Sequence, residues 1–249
     1  MIKHRPSFTC KSKNPLVRCV AWLAYKVKVA RGLMQTPRQV ALAHFETLFI
    51  DGLFLNALLP TNKHRVSKNL WRSGQPHALQ FDKLAQQGIR TIINLRGKRD
   101  CASYLLEAKA CRRHGITLVD FPMDSRQPPR LEILEQIEGL FSGIAYPALL
   151  HCKAGSDRAG IMSALYLLII EKQPVDVAKK QLSLRYGHIR QAKTGVLDRF
   201  LEAYQSFSAK RPMAFLDWAR QHYDREAVIA SHKVFNWAAW LTDRALRRE

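Results

Sequence analysis

The sequence HCKAGSDRAG, residues 151–160, decides the fold of this chain. It follows the apolar run PALL at 147–150 and leads into an apolar helical pattern at 161–170. Apolar runs of these lengths are typical of a buried strand and a buried helix. The small residues between them allow a tight turn, because Gly155 bends the backbone without a Cβ penalty. The stretch therefore predicts a strand, a tight loop and a helix that begins at the loop.

The side chains of this stretch are suited to binding and attacking a phosphate group. A helix N-terminus supplies converging N–H donors and the positive end of the helix dipole. Arg158 can hold two phosphate oxygens, and the positive field favours the thiolate form of Cys152. A lone cysteine is more often a buried structural residue, but a structural cysteine does not need this electropositive strand-to-helix setting. We therefore expect Cys152 and Arg158 to be catalytic. The expected phosphate-binding residues are Lys153, Ala154, Gly155, Ser156, Asp157 and Arg158.

Four residues of the stretch form a pattern found in a known superfamily. His151, Cys152, Gly155 and Arg158 give His-Cys-x-x-Gly-x-x-Arg, which resembles the signature of the cysteine-dependent protein tyrosine and dual-specificity phosphatases. The resemblance covers about residues 65–207. It includes the segments WRSGQP and TIINLR, which are similar to the opening segments of compact, bacterial dual-specificity-like members.

The resemblance implies a phosphomonoester hydrolase that forms a phospho-cysteine intermediate and uses no cofactor. It implies a protein tyrosine or dual-specificity phosphatase whose substrate is a phosphorylated protein. The alternative is a phospholipid or phosphoinositide phosphatase at the membrane surface, which Lys153, Asp157 and the basic N-terminal segment favour. A non-catalytic binding module is disfavoured, because Cys152 and Arg158 are both intact.

The general acid that protonates the leaving oxygen has two candidates. Asp124 follows a predicted strand and resembles the movable-loop aspartate of dual-specificity phosphatases. Asp157 lies beside Arg158, where Gly-x-Asp-Arg resembles the myotubularins and a group of bacterial phosphatases. Either could be structural instead, Asp124 as a turn residue before Pro128-Pro129 and Asp157 as a helix cap. We favour Asp157, because a negative charge beside a phosphate opposes binding unless it is protonated or functional.

The composition of the chain restricts its partners. The 249 residues include 40 Lys or Arg and 20 Asp or Glu, giving a formal net charge of +20. This excess implies anionic partners, here a phosphorylated protein or a phospholipid. We expect no nucleic-acid partner, since no binding motif accompanies the charge. We also expect no metal site, since the nine His are scattered without ligand spacing. Five cysteines without paired spacing predict a reducing, cytoplasmic location, and no apolar run has the roughly eighteen residues of a membrane span.

The distribution of basic and apolar residues divides the chain into three predicted parts. Residues 1–64 form a basic, partly helical N-terminal extension, in which residues 1–45 carry nine Lys or Arg and no acidic residue. A solvated basic arm is the ordinary interpretation of this extension, and peripheral contact with an anionic membrane is the alternative. Residues 65–207 form the phosphatase catalytic domain, and residues 208–249 form a C-terminal helical extension.

The alternation of strand and helix patterns predicts an α/β fold with a central, mostly parallel sheet flanked by helices. Ligands of such sheets bind beyond the carboxyl ends of the strands, where Cys152 falls. The predicted strands are 91–95, 116–121 and 148–150, and the predicted helices are 38–59, 81–87, 101–114, 131–141, 159–171, 175–185 and 195–207.

Overall fold

The computed structural model describes residues 37–50, 62–235 and 238. The strands are β1 (His64–Arg65), β2 (Leu70–Gly74), β3 (Thr91–Asn94), β4 (Thr117–Asp120) and β5 (Ala148–Cys152). They form one sheet in the order β1-β2-β5-β3-β4. β1 is antiparallel to β2, and all other neighbouring strands are parallel. The predicted α/β fold with a mostly parallel central sheet is confirmed.

Helices pack on both faces of this sheet. Successive residues of a strand point to opposite sides, so a strand of apolar residues presents apolar side chains to both faces. The α-helices are α1 (Pro37–Phe45), α2 (Phe81–Gln86), α3 (Ala102–Arg113), α4 (Leu131–Ser142), α5 (Asp157–Ile169), α6 (Val175–Lys179), α7 (Val196–Ser208), α8 (Phe215–Gln221) and α9 (Arg225–Ala230). Ile93 and Leu150 belong to the core that includes α4, α5 and α7. Ile92 and Leu149 belong to a second core with α2 and α3.

Strand β5 lies in the middle of the sheet and fixes the position of the candidate site. All five of its residues are buried, as expected for a strand with neighbours on both edges and both faces. Gly74 of β2 is level with Cys152, and Asn94 of β3 is level with His151. Because these three strands are parallel, their carboxyl ends meet at one edge of the sheet, with Cys152 between its neighbours.

Helix α5 begins directly after the loop that follows β5. The sequence predicts a helix at 159–171, and the structure starts it earlier, at Asp157. Its residues are buried almost throughout, which agrees with an apolar pattern that runs around the whole helix. The N-terminal end of α5 therefore faces the loop between Cys152 and Asp157, where its free N–H groups can meet an anion.

The prediction of one helix over 175–185 is wrong. Helix α6 ends at Lys179, and a separate 3₁₀ turn follows at Leu184–Tyr186. The interruption coincides with Gln181, whose backbone oxygen accepts a hydrogen bond from the buried Arg72 at 2.6 Å. An intrahelical bond would occupy that oxygen in a continuous helix, so the contact with Arg72 accompanies the end of α6.

The sequence pattern does not predict strand β2, because the strand contains a buried arginine where an apolar residue is usual. Near the N-terminus, α1 agrees with the start of the helix predicted at 38–59. It continues as a π-helical turn, Glu46–Ile50. The remainder of that helix and the basic segment before it lie outside the described residues.

Residues after 207 form α8 and α9 in the described part of the chain. Phe215 and Trp218 pack against Phe200 of α7, with ring centroids 5.9 and 6.0 Å apart. These helices contribute to the same core as α4 and α5. The division of the chain into three parts stays a prediction. Within the described segments, no helix is both long enough and apolar enough to cross a membrane.

Candidate active site

Cys152 lies at the end of β5, at the bottom of the phosphate loop, which we define as residues 153–158. The Gly155 N–H donates to Cys152 Sγ at 3.3 Å, so the backbone of the loop directs a donor at the Cys152 thiol. Gly155 has φ of +77°, and a Cβ there would lie 2.5 Å from the Gly74 nitrogen. Only glycine fits, because both the left-handed conformation and the contact with β2 exclude a side chain.

A buried arginine, Arg72, binds the backbone oxygens of the phosphate loop. Arg72 has no exposed surface, and its Nη2 donates to the backbone oxygens of Gly155 and Ser156 at 2.8 and 2.9 Å. Its Nη1 donates to the backbone oxygen of Gln181 at 2.6 Å and to Gln181 Oε1 at 2.9 Å. Burial lowers the pKa of Arg72 to about 10, so the guanidinium stays charged at neutral pH. Apart from the resemblance of WRSGQP, no feature of the sequence predicts this role for Arg72.

A second side chain engages the backbone of the same loop. Asn62 Nδ2 donates to the backbone oxygen of Ala154 at 3.1 Å and to that of Tyr186 at 2.8 Å. The carbonyls of three consecutive loop residues are therefore bound by Asn62 and Arg72. A peptide unit directs its N–H opposite to its C=O. Because the carbonyls point toward Asn62 and Arg72, the N–H groups of the loop point toward Cys152, as the Gly155 N–H does. Backbone N–H groups that converge in this way are suited to binding an anion.

Asp157 belongs to a buried chain of three titratable side chains that the sequence did not predict. Its Oδ1 lies 2.6 Å from His188 Nδ1, and His188 Nε2 lies 2.6 Å from Asp198 Oδ2. Burial alone would lower the pKa of His188, but its hydrogen bonds with Asp157 and Asp198 outweigh burial and raise it to about 9. The raised pKa favours the imidazolium form of His188 at neutral pH, and its ring lies between the side chains of Asp157 and Asp198.

His151 is part of a different buried network beneath the loop. Its Nδ1 lies 3.2 Å from the backbone oxygen of Cys152, and its Nε2 lies 2.7 Å from Glu107 Oε1, outside hydrogen-bonding angles. Glu107 Oε2 accepts a hydrogen bond from Gln75 Nε2 at 2.7 Å, and Gln75 Oε1 accepts one from Arg96 Nη1. The network joins the ends of β2, β3 and β5 through α3. This setting suits a role for His151 in ordering the loop rather than in transferring a proton.

The structure does not bring Asp124 into the phosphate loop. Asp124 is exposed on the loop that follows β4, the edge strand, and its Oδ1 accepts a hydrogen bond from the Arg126 backbone N–H at 2.8 Å. Asp157 and Arg158, by contrast, are adjacent at the start of α5. In the described segments, no group of three or more His, Cys, Asp or Glu side chains is placed to hold a metal ion.

Cys152 and Arg158 thus lie on either side of the loop between a central parallel strand and a helix, which is the arrangement expected of a cysteine-dependent phosphatase. The chain belongs to a particular branch of that class. Its residues 37–196 match the family described as "DSP-PTPase phosphatase fused to NAD+ Kinase", which is a dual-specificity and protein tyrosine phosphatase family.

The chain is also similar to individual proteins and solved structures. The dual specificity protein phosphatase TpbA of Pseudomonas aeruginosa is 26% identical over 111 residues, which are 44% of this chain and 48% of that protein. The chain thus spans about half the length of the curated relatives it matches. A crystal structure of P. aeruginosa TpbA is 19% identical with a TM-score of 0.49, covering 64% of this chain and 89% of that one. A TpbA structure in complex with pTyr is 18% identical with a TM-score of 0.48, covering 69% and 91%.

Proposed function

We propose that this chain hydrolyses phosphomonoesters through a phospho-cysteine on Cys152. One observation carries the proposal: the Gly155 N–H donates to Cys152 Sγ while Arg72 binds the carbonyls of Gly155 and Ser156. Donors fixed in advance stabilise charge as it develops, without reorganisation during the reaction. A phosphate whose oxygens meet these N–H groups would have its phosphorus next to the thiolate.

The reaction would have two steps. In the first, Sγ of Cys152 attacks phosphorus, the ester P–O bond breaks, and the leaving oxygen takes a proton from the general acid. Arg158 binds two phosphoryl oxygens, and Lys153 adds positive charge beside them. In the second step, water attacks phosphorus and the P–S bond breaks. Its electron pair returns to Cys152 as the thiolate, and a carboxylate accepts the proton from water.

We propose Asp157 as the general acid, with Asp124 as the alternative. Asp157 is supported by its place in the phosphate loop and by its burial, with 6% of its surface exposed. Asp124 is exposed and accepts a hydrogen bond from the Arg126 backbone N–H.

Asp157→Asn is expected to lower kcat for an alkyl phosphate by about 10²-fold or more, because an alkoxide leaves poorly without a proton. The loss with nitrophenyl phosphate should be much smaller, since nitrophenolate leaves without protonation. Asp124→Asn is the matched control, and both variants should be measured with both substrates. A selective loss on the alkyl ester in Asp124→Asn instead would move the acid to Asp124, and small losses in both would exclude either assignment.

We propose a phosphorylated protein, and phosphotyrosine in particular, as the substrate. The proposal is supported by the DSP-PTPase family and by the relative curated as a dual specificity protein phosphatase, which has been crystallised with pTyr. A reactive thiol needs a reducing environment, so we place the reaction in the cytoplasm. The net charge of +20 favours a second candidate, a phospholipid or phosphoinositide at an anionic membrane surface that the N-terminal extension contacts.

A substrate panel separates the two candidates. The full chain should hydrolyse a phosphotyrosine peptide with a kcat/KM at least about tenfold above that for phosphoinositides or phosphatidylglycerophosphate in vesicles, because specificity is read from the ratio of these constants. A phosphoserine peptide gives the control for the protein substrate. Higher kcat/KM for a vesicle-borne phospholipid would replace the protein substrate with the lipid one.

A further inference from the structure

Asp157 forms a buried trio with His188 and Asp198, two residues to which the proposed reaction gives no role. Its side chains are 8%, 1% and 11% exposed, and each ring nitrogen of His188 faces a carboxylate oxygen at 2.6 Å. The three residues come from α5, the loop before α7, and α7 itself. One end of the trio is in the phosphate loop, next to Arg158.

The trio would be an unfavourable choice if it served only to stabilise the fold. Removing three charged groups from water carries a desolvation penalty that an apolar cluster of the same volume would avoid. Among the described residues, the contact with His188 is the one hydrogen bond made by the Asp157 carboxyl, and it uses Oδ1. His188 therefore determines where that carboxyl points.

The geometry also allows a proton to change places along the trio. With His188 charged, Nδ1–H donates to Asp157 and Nε2–H donates to Asp198. If the proton on Nδ1 moves to Asp157 Oδ1, the neutral imidazole accepts a hydrogen bond from the new carboxylic acid and still donates from Nε2 to Asp198. Both states use the same heavy-atom positions, because each 2.6 Å contact serves either direction of the hydrogen bond.

We propose that His188 is a positioning residue that holds Asp157 in the phosphate loop and stores the proton which Asp157 delivers. Asp198 holds the other side of the imidazole and keeps its orientation. The inference rests on the proposed function, since it assigns the origin of the proton for the leaving oxygen.

Each proton movement is balanced over the two steps. When a phosphate dianion enters the loop, its charge favours the neutral acid, and the proton passes from His188 Nδ1 to Asp157. As the P–O bond breaks, Asp157 turns about Cβ–Cγ and gives this proton to the leaving oxygen, becoming a carboxylate. In the second step, Asp157 accepts a proton from the attacking water. It returns that proton to His188 after phosphate leaves.

The pH dependence of the rate should report the charge of His188. The groups that face the imidazole are Asp157 from α5 and Asp198 from α7, while Arg72 of β2 acts on Asp157. Because the pKa of His188 is raised to about 9, the stored proton is present below that pH and is lost above it. The rate of alkyl phosphate hydrolysis by the native protein should therefore fall at high pH, with a midpoint near this value. We call this fall the upper limb of the pH profile.

The test compares His188→Asn, Asp198→Asn and the native full chain, using an alkyl phosphate and nitrophenyl phosphate. The amide nitrogen of His188→Asn can replace Nδ1 as a donor, but it has no proton to give. We expect kcat for the alkyl phosphate to fall by about tenfold or more, against less than about threefold for nitrophenyl phosphate. The loss of rate at high pH should move to lower pH in Asp198→Asn, because this change removes one of the carboxyl groups that hold the His188 proton. In His188→Asn the loss of rate assigned to the His188 proton should no longer lie near pH 9, because the imidazole is absent.

His114→Asn is the matched control, since His114 lies at the end of α3 beside Asp82 and away from the loop. Thermal unfolding of every variant shows whether it folds, and Asp198→Asn keeps the test valid if His188→Asn does not. Equal losses on both substrates with an unmoved upper limb would overturn the proton-storage role. Activity that survives in Cys152→Ser would instead overturn the proposed function, so the two failures are distinguishable.

Discussion

Cys152→Ser should lower kcat/KM for nitrophenyl phosphate by on the order of 10⁴-fold or more, because a serine hydroxyl stays neutral and is a poor nucleophile where a thiolate attacks directly. The change replaces one small atom in a residue that is 4% exposed, so the fold should be preserved. The loop donors should persist as well, because they are positioned by Arg72 and Asn62. Initial rates give the loss in activity, and calorimetry with inorganic phosphate shows whether binding persists.

The other described cysteines provide the comparison. Burial raises the pKa of Cys111 to about 12, so this second buried thiol stays neutral and unreactive. Cys101 is partly exposed and contacts Ser103 at 3.3 Å, outside the phosphate loop. Cys101→Ser should therefore keep the native rate. A Cys152→Ser protein that retained a substantial part of the native rate would mean that another group is the nucleophile.

Arg72→Met should reduce the free energy of unfolding by about 3 kcal/mol or more, because four buried acceptors lose a hydrogen bond and each one left unsatisfied costs roughly 1–3 kcal/mol. Those acceptors are three backbone oxygens and Gln181 Oε1. The Ser156 oxygen keeps the hydrogen bond that it accepts from the Gly160 N–H. The variant also avoids the free-energy cost of burying the charged guanidinium, which offsets part of this loss. The variant should also lose phosphatase activity, since two of the oxygens belong to the phosphate loop. Urea unfolding followed by tryptophan fluorescence measures the change in stability.

Arg65→Met is the matched control for this experiment. Arg65 is exposed on β1, where it donates to the backbone oxygens of Ser67 and Lys68 at the surface. Surface substitutions of this kind change stability by about 0.5 kcal/mol or less. If Arg72→Met were as stable and as active as Arg65→Met, the buried arginine would not be what shapes the loop.

The strand, the phosphate loop and the helix that follows it were predictable from the sequence, because all three are local. The apolar residues at 147–150, Gly155 and the apolar helix define them within a short stretch of chain. The alternation of strands and helices likewise predicted the parallel sheet, since a parallel crossover needs a connection of that kind. The edge of the sheet at which Cys152 lies then follows from the topology.

The groups that support the loop could not be predicted, because they are distant in sequence. Arg72 binds the backbone of Gly155, and a buried arginine cannot be distinguished from a surface arginine by pattern alone. His188 and Asp198 are joined to Asp157 through packing of the segment before α7, which carries no motif. The short helix α6 was predicted too long for the same reason, since the contact of Gln181 with Arg72 is tertiary.

The most direct test of the central claim is to trap the intermediate on the native protein. Acid quenching in the first turnover of a phosphotyrosine peptide, followed by digestion and mass spectrometry, should find one phosphoryl group on the peptide that contains Cys152. The same peptide from Cys152→Ser should be unmodified. A native enzyme that turns over the substrate while its Cys152 peptide never carries a phosphoryl group, or carries it on another residue, would contradict the covalent mechanism.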